Sequence, residues 1–82
     1  MGIIKLDSRG EQVKSWQLFL ISQGLLRGSA DGIFGQMTDE STKEFQKKYG
    51  LVSDGIVGNL TYIKAEELGF QPISDVKTVN PD

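Results

Sequence analysis

The chain has 82 residues, 38% of them apolar and 24% charged, with a formal net charge of −2 at pH 7. That length allows one small domain of marginal burial, and the acidic balance offers no basic footprint for nucleic acid. Cysteine and histidine are both absent, which excludes disulfide staples, thiolate chemistry, and the commonest general base and metal ligand. No apolar run approaches the roughly 20 residues of a membrane span. Met1 to Leu6 lack the long apolar stretch of a signal peptide.

Taken in chain order, a loosely alternating segment ends at Asp7. Ser8-Arg9-Gly10-Glu11 has the form of a capping box, in which Ser8 accepts from the N–H of Glu11 and Glu11 reaches back. The first helix is therefore expected from about Arg9 to Gln23, with Val13, Trp16, Gln17 and Leu20 on one face. Leu18, Phe19 and Ile21 flank that stripe. Ile21 is expected in a wider buried face, while Leu18 and Phe19 are left open between core and an interface. Gly24 reads as a left-handed stop, after which Leu25 can pack back on Leu20. A second helix is expected from about Gln36 to Tyr49. Its unusually polar inner stripe is Thr38, Ser41 or Thr42, Phe45 and Tyr49, whose hydroxyls can bond carbonyls of the preceding turn. Gly50 and Leu51 end it. A third helix is expected from about Asn59 to Leu68, with Leu60, Ile63 and Leu68 as core candidates and Gly69-Phe70 as the same kind of stop. Residues 71–82 hold both prolines and no helical period, and read as a linker or tail after a domain spanning residues 1–70.

One phrase occurs twice. Asp31-Gly32-Ile33-Phe34-Gly35-Gln36-Met37-Thr38 returns as Asp54-Gly55-Ile56-Val57-Gly58-Asn59-Leu60-Thr61, 23 positions later, with five of eight positions identical. Two copies are too few for a solenoid. They suit an all-α, three-helix bundle with two pseudo-repeated loop–helix units, whose glycine-rich loops are expected to fold back on each other. Asp-Gly is turn chemistry: the carboxylate bonds its own backbone two residues on, and glycine takes a positive φ freely. Asp31 and Asp54 are therefore expected to organise loops. Thr38 and Thr61 are expected to tie each loop to its helix, and Gln17 and Gln46 to act as polar struts to loop backbone. A calcium loop is disfavoured, since neither phrase has acidic ligands at alternating positions. Glu40 and Glu44 share a face with Lys43, Lys47 and Lys48 interleaved, which is ordinary solvated surface. No Ser-His pair is possible and there is little room for the two-carboxylate cleft of a glycosidase. No catalytic residue, metal site or cofactor is expected.

The ordered pattern Val13-x-x-Trp16-Gln17-x-x-Leu20, Gly24, Asp31-Gly32-Ile33-Phe34-Gly35-x-x-Thr38, Phe45-Gln46, Gly50-Leu51-x-x-Asp54-Gly55-Ile56-Val57-Gly58-x-x-Thr61-Tyr62 closely resembles the peptidoglycan-binding domain 1 family, from about Ile4 to Leu68. Four positions depart from the family's habit: Asp7 for Gly, Trp16 for Leu, Ser41-Thr42 for Ala-Val and Tyr62 for Trp. The resemblance implies a three-helix bundle that binds the bacterial cell wall without catalysis and holds an attached hydrolase or phage endolysin at peptidoglycan. It implies a ligand surface at the two loops, from Asp31, Gly32, Phe34, Gly35 and Thr38 in the first and Asp54, Gly55, Val57, Thr61 and Tyr62 in the second. Aromatic faces there would stack on sugars and helix-start N–H groups would favour carboxylates. Phe34 reads more as a core plug, and Tyr62 equally as core or contact.

The expected setting is the bacterial wall, periplasm or exterior, with a covalently linked catalytic domain on the C-terminal side, a monomeric state and no membrane or nucleic-acid partner. Without a signal peptide, a phage lysin or an internal fragment is the expected source. The alternative is a protein–protein docking or regulatory module acting on a neighbouring catalytic domain, which exposed Leu18 and Phe19 would favour.

Overall fold

Three helices make up the regular structure of this computed structural model, which describes residues 2–71: α1 (Glu11–Ser22), α2 (Gln36–Lys48) and α3 (Asn59–Glu67). Among the described residues there is no strand, and the only extended pairings are two isolated antiparallel bridges, Ile4 with Val57 and Arg9 with Ile33. The fold is all-α, as the sequence implies. The expected tail from residue 72 onward lies outside the described residues.

All three helices stop by one device. The N–H of the residue after each terminal glycine returns to a carbonyl in the last turn: Leu25 to Leu20, Leu51 to Gln46 and Phe70 to Ala65. The glycine N–H closes the tighter turn of the pair, three residues back: Gly24 to Ile21, Gly50 to Lys47 and Gly69 to Glu66. This is the Schellman arrangement, and it needs the positive φ seen at each of these glycines. The residue that follows packs on the domain: Phe70 is buried in the core, and Leu25 and Leu51 lie partly buried against it.

The start of α1 differs from expectation. The capping box does not form: the helix begins after Gly10, and no side chain caps it. Ser8 Oγ instead accepts from the Lys5 N–H at 3.0 Å and closes a turn within the N-terminal segment. The reason is competition for the same backbone. The Ser8 carbonyl accepts from the Phe34 N–H at 2.9 Å, and the Gly10 N–H donates to the Gly32 carbonyl at 2.9 Å. Residues 8–10 are thus pairing with the first Asp-Gly loop when a capping box would need them.

The core centres on Trp16, which is fully buried. Its ring meets Phe45 and Phe70 edge-on at 5.6 Å, Tyr62 edge-on at 6.2 Å and Phe19 at a tilt at 5.4 Å. Such pairs add about 0.5–1.5 kcal/mol each beyond simple burial. The indole N–H donates to Thr42 Oγ1 at 2.9 Å, and that hydroxyl donates to the Thr38 carbonyl at 2.7 Å. An unpaired indole donor here would cost about 1–3 kcal/mol. The departures at Trp16 and Thr42 therefore form one compensated pair. Phe19 is buried and Leu18 is exposed, while Ile21 lies at the solvent boundary, 37% exposed, rather than under a wider buried face.

The third helix is rotated from its expected phase. Leu60 is 70% exposed and Ile63 50%, and Leu68 is also exposed; Thr61, Tyr62 and Ala65 face inward instead. Thr61 Oγ1 accepts a hydrogen bond from the Gln46 side chain at 3.1 Å. That bond and the buried Tyr62 ring turn Leu60 outward, so polar satisfaction overrides the apolar count on this helix.

Candidate functional site

Each Asp-Gly loop is built around one buried glutamine. Gln17 on α1 accepts from the Gly32 N–H through Oε1 at 2.8 Å, and its Nε2 lies 2.9 Å from the Ile33 carbonyl, 2.9 Å from Thr38 Oγ1 and 3.0 Å from Asp31 Oδ1. Gln46 on α2 repeats the arrangement: the Gly55 N–H donates to Oε1 at 2.9 Å, and Nε2 reaches the Ile56 carbonyl at 2.9 Å, Thr61 Oγ1 at 3.1 Å and Asp54 Oδ1 at 3.2 Å. An amide nitrogen carries two hydrogens, so three acceptors around it share them, and the loop has no freedom to rotate away. Asp31 and Asp54 complete each turn by accepting from the N–H two residues on, at 3.0 Å for Ile33 and 2.9 Å for Ile56. The Ile33 N–H first, and the Gln17 amide second, hold the Asp31 carboxyl below its ordinary pKa of 3.8. The expected roles of Gln17, Gln46, Asp31, Asp54, Thr38 and Thr61 are all present in this geometry.

The expected folding of one loop back on the other is not made by direct backbone pairing. No backbone hydrogen bond among the described residues joins one to the other. Each is tied to the N-terminal segment: Val57 exchanges both backbone bonds with Ile4, and Phe34 and Gly32 pair with residues 7–10. The segment pairs with backbone N–H and C=O groups of Gly32, Phe34 and Val57 that the loops themselves leave open.

Among the proposed ligand residues, Asp31 and Asp54 are exposed, and Gly35 is the residue from which α2 starts, as Gly58, not among them, is for α3. Gly32 is half-buried and Gly55 is buried. Phe34 and Val57 are fully buried, and Thr38, Thr61 and Tyr62 nearly so. Stacking of a sugar on Phe34 or Tyr62 would require the core to open. The Tyr62 hydroxyl is itself engaged, donating to the Gly2 carbonyl at 3.1 Å and accepting from Gln12 Nε2 at 3.1 Å. Burial pushes its pKa above the usual 10.0, against a smaller opposing effect of the Gln12 bond.

What the loops do present is a pair of shallow grooves. The first, of about 350 Å³, runs past Ile33, Gln36 and Met37; the second, of about 430 Å³, past Ile56, Asn59 and Leu60. The sequence reading gives Gln36, Met37, Asn59 and Leu60 no ligand role. The signal was in the repeat, which aligns these residues pair by pair.

A family model described as "Putative peptidoglycan binding domain" matches residues 9–64, which include both loops, both glutamines, α1, α2 and the first two-thirds of α3. This chain belongs to that family. The crystal structure of the SleB N-terminal domain superposes with a TM-score of 0.80 at 33% identity, covering 82% of this chain and 92% of that one. The crystal structure of Burkholderia AP3 phage endolysin matches with a TM-score of 0.77 at 34% identity over 87% of this chain and 27% of that one. A spore cortex-lytic enzyme of Bacillus cereus is 37% identical over 59 residues, 72% of this chain. The match spans 23% of that enzyme's length, so this chain corresponds to under a quarter of it.

Proposed function

We propose that this domain binds peptidoglycan and holds an attached cell-wall hydrolase at its substrate, without performing the hydrolysis itself. The observation that carries the reading is the family match across residues 9–64, which takes in both glutamine-pinned loops. The relatives named as a cortex-lytic enzyme and an endolysin support the same assignment. A polymer wall repeats its unit many times, so a weak contact at each unit suffices to keep an attached enzyme near its bonds. The carboxylates of the two loops are committed to turn geometry, Oδ1 of each accepting two bonds, which favours binding over acid–base work. The reading places the module at the wall, outside any membrane, as a monomer whose catalytic partner follows on the C-terminal side. No helix among the described residues is long and apolar enough to cross a membrane.

Exposure of Leu18, 54% of its surface, favours a second reading in which the module docks on a neighbouring catalytic domain. Leu18 lies beside Phe19 and Phe70 in a shallow groove of about 230 Å³. One experiment separates the two. The isolated domain is mixed with purified sacculi and centrifuged, and the suspension is followed for loss of turbidity. Wall binding predicts that the domain pellets and turbidity holds. Domain left in the supernatant, with capture by an isolated hydrolase catalytic domain, would replace the first reading by the second. Clearing of the suspension would make the domain an enzyme.

A further inference from the structure

The repeated phrase contains eight positions, and the fold accounts for five of them. Asp31/Asp54 close the turns, Gly32/Gly55 supply positive φ, Phe34/Val57 fill the core, Gly35/Gly58 start the helices and Thr38/Thr61 anchor to the glutamines. Three pairs remain: Ile33/Ile56, Gln36/Asn59 and Met37/Leu60. All six side chains reach solvent, among the apolar four Met37 and Leu60 most (55% and 70% exposed) and Ile33 and Ile56 least (42% and 38%), and none belongs to the buried core. A surface position with no structural duty has no reason to keep one chemical type in two copies of a phrase. Yet each pair keeps it: isoleucine in both, a carboxamide in both, a long apolar side chain in both.

In each unit the three side chains line one groove, of about 350 Å³ in the first and 430 Å³ in the second, within the roughly 300–1,000 Å³ typical of small-ligand sites. The chemistry is an apolar wall beside an amide. A carboxamide offers both donor and acceptor, and so pairs with another amide. The isoleucine and the Met or Leu offer contact to a methyl group. A group that carries a methyl, an N–H and a C=O within one short unit is an acetamide. Gln36 also donates to Glu40 Oε2 at 3.2 Å across the helix surface, which uses one hydrogen and leaves the other and the carbonyl oxygen.

We infer that the domain is bivalent for N-acetylated amino sugars, with one groove formed by Ile33, Gln36 and Met37 and an equivalent one by Ile56, Asn59 and Leu60. This rests on the wall-binding reading and names the moiety recognised. Two like sites on one rigid domain engage two units of a glycan strand, and the second contact is made at high effective concentration.

The test is a titration of isotope-labelled domain with N,N′-diacetylchitobiose, read by amide NMR shifts, with cellobiose as the neutral disaccharide that lacks the acetamido groups. The expected result is two separate groups of shifts, around Ile33–Met37 and around Ile56–Leu60, with the acetylated sugar only. Leu60→Ser removes the second group and leaves the first; Met37→Ser does the reverse. Because both side chains are exposed, the surviving group of shifts also reports that each variant is folded. A single group, shifts elsewhere, equal shifts with cellobiose, or no shifts would overturn the inference. Co-sedimentation of the wild-type domain with sacculi keeps the two levels apart. Pelleting without the acetamide-dependent shifts removes the bivalent site and leaves wall binding standing, whereas no pelleting removes wall binding itself.

Discussion

Gln46 and Gln17 are each nearly fully buried, and each satisfies backbone groups that no other side chain among the described residues reaches. Replacing Gln46 by Ala strands the buried Gly55 N–H and frees Thr61 and Asp54 at once. At about 1–3 kcal/mol for each unpaired buried group, Gln46→Ala is expected to lose roughly 3 kcal/mol in urea denaturation. Two ionisable groups add a pH dependence. Asp31 is depressed in the folded state, so its stabilisation is complete above the ordinary value of 3.8 and disappears as pH falls below it. Asp31→Asn is expected to flatten that acid limb when unfolding is followed by circular dichroism. Tyr62 is raised, so the unfolded chain ionises first; stability is complete below 10.0 and declines as pH climbs past it. Tyr62→Phe is expected to remove this alkaline decline and to cost about 1 kcal/mol at neutral pH for the lost bonds to Gly2 and Gln12. The strut role of both glutamines is legible in the sequence, since a polar side chain beside a core aromatic must find partners. The fate of the Tyr62 hydroxyl is not, because its partners sit 50 and 60 positions away.

At the scale of the element, glycines fix where helices and loops stop, but not all for the same reason. Gly24 has a φ of 76° and open space where a Cβ would stand; Gly55 has a φ of 78°, and a Cβ there would collide with Asp39 Oδ1. Gly24→Ala is therefore expected to cost about 1–2 kcal/mol, the strain of a left-handed alanine. Gly55→Ala is expected to cost more, because it must also displace Asp39 from its 3.1 Å pair with Lys43. Comparing the two variants in the same urea series separates strain from collision. The stops were readable from Gly followed by an apolar residue. The phase of α3 was not readable from hydrophobicity, which selects Leu60 and Ile63. It could be read from the repeat: Thr38 and Thr42 face inward on α2, and their counterparts 23 positions on, Thr61 and Ala65, do the same on α3. Likewise the local capping pattern at Ser8 fails because a distant loop claims the same backbone groups.

For the whole molecule, the N-terminal segment is the tie between two units that otherwise resemble each other. Ile4 is buried in the core while its backbone pairs with Val57. Ile4→Ala is expected to cost about 2–4 kcal/mol, and its effect should appear in hydrogen exchange at the Val57 amide as well as in global stability. Single-residue bridges leave no period in a sequence, so this tie could not be foreseen, although the bundle it closes could. In the proposed function the two pinned loops are the wall-facing surface of a binding domain. The most direct measurement is an amide NMR titration of the labelled domain with soluble muropeptides. Shifts concentrated in residues 31–38 and 54–62 are the expected result. Shifts centred on Leu18 and its neighbours along α1, or a spectrum unchanged at saturating muropeptide, would contradict it.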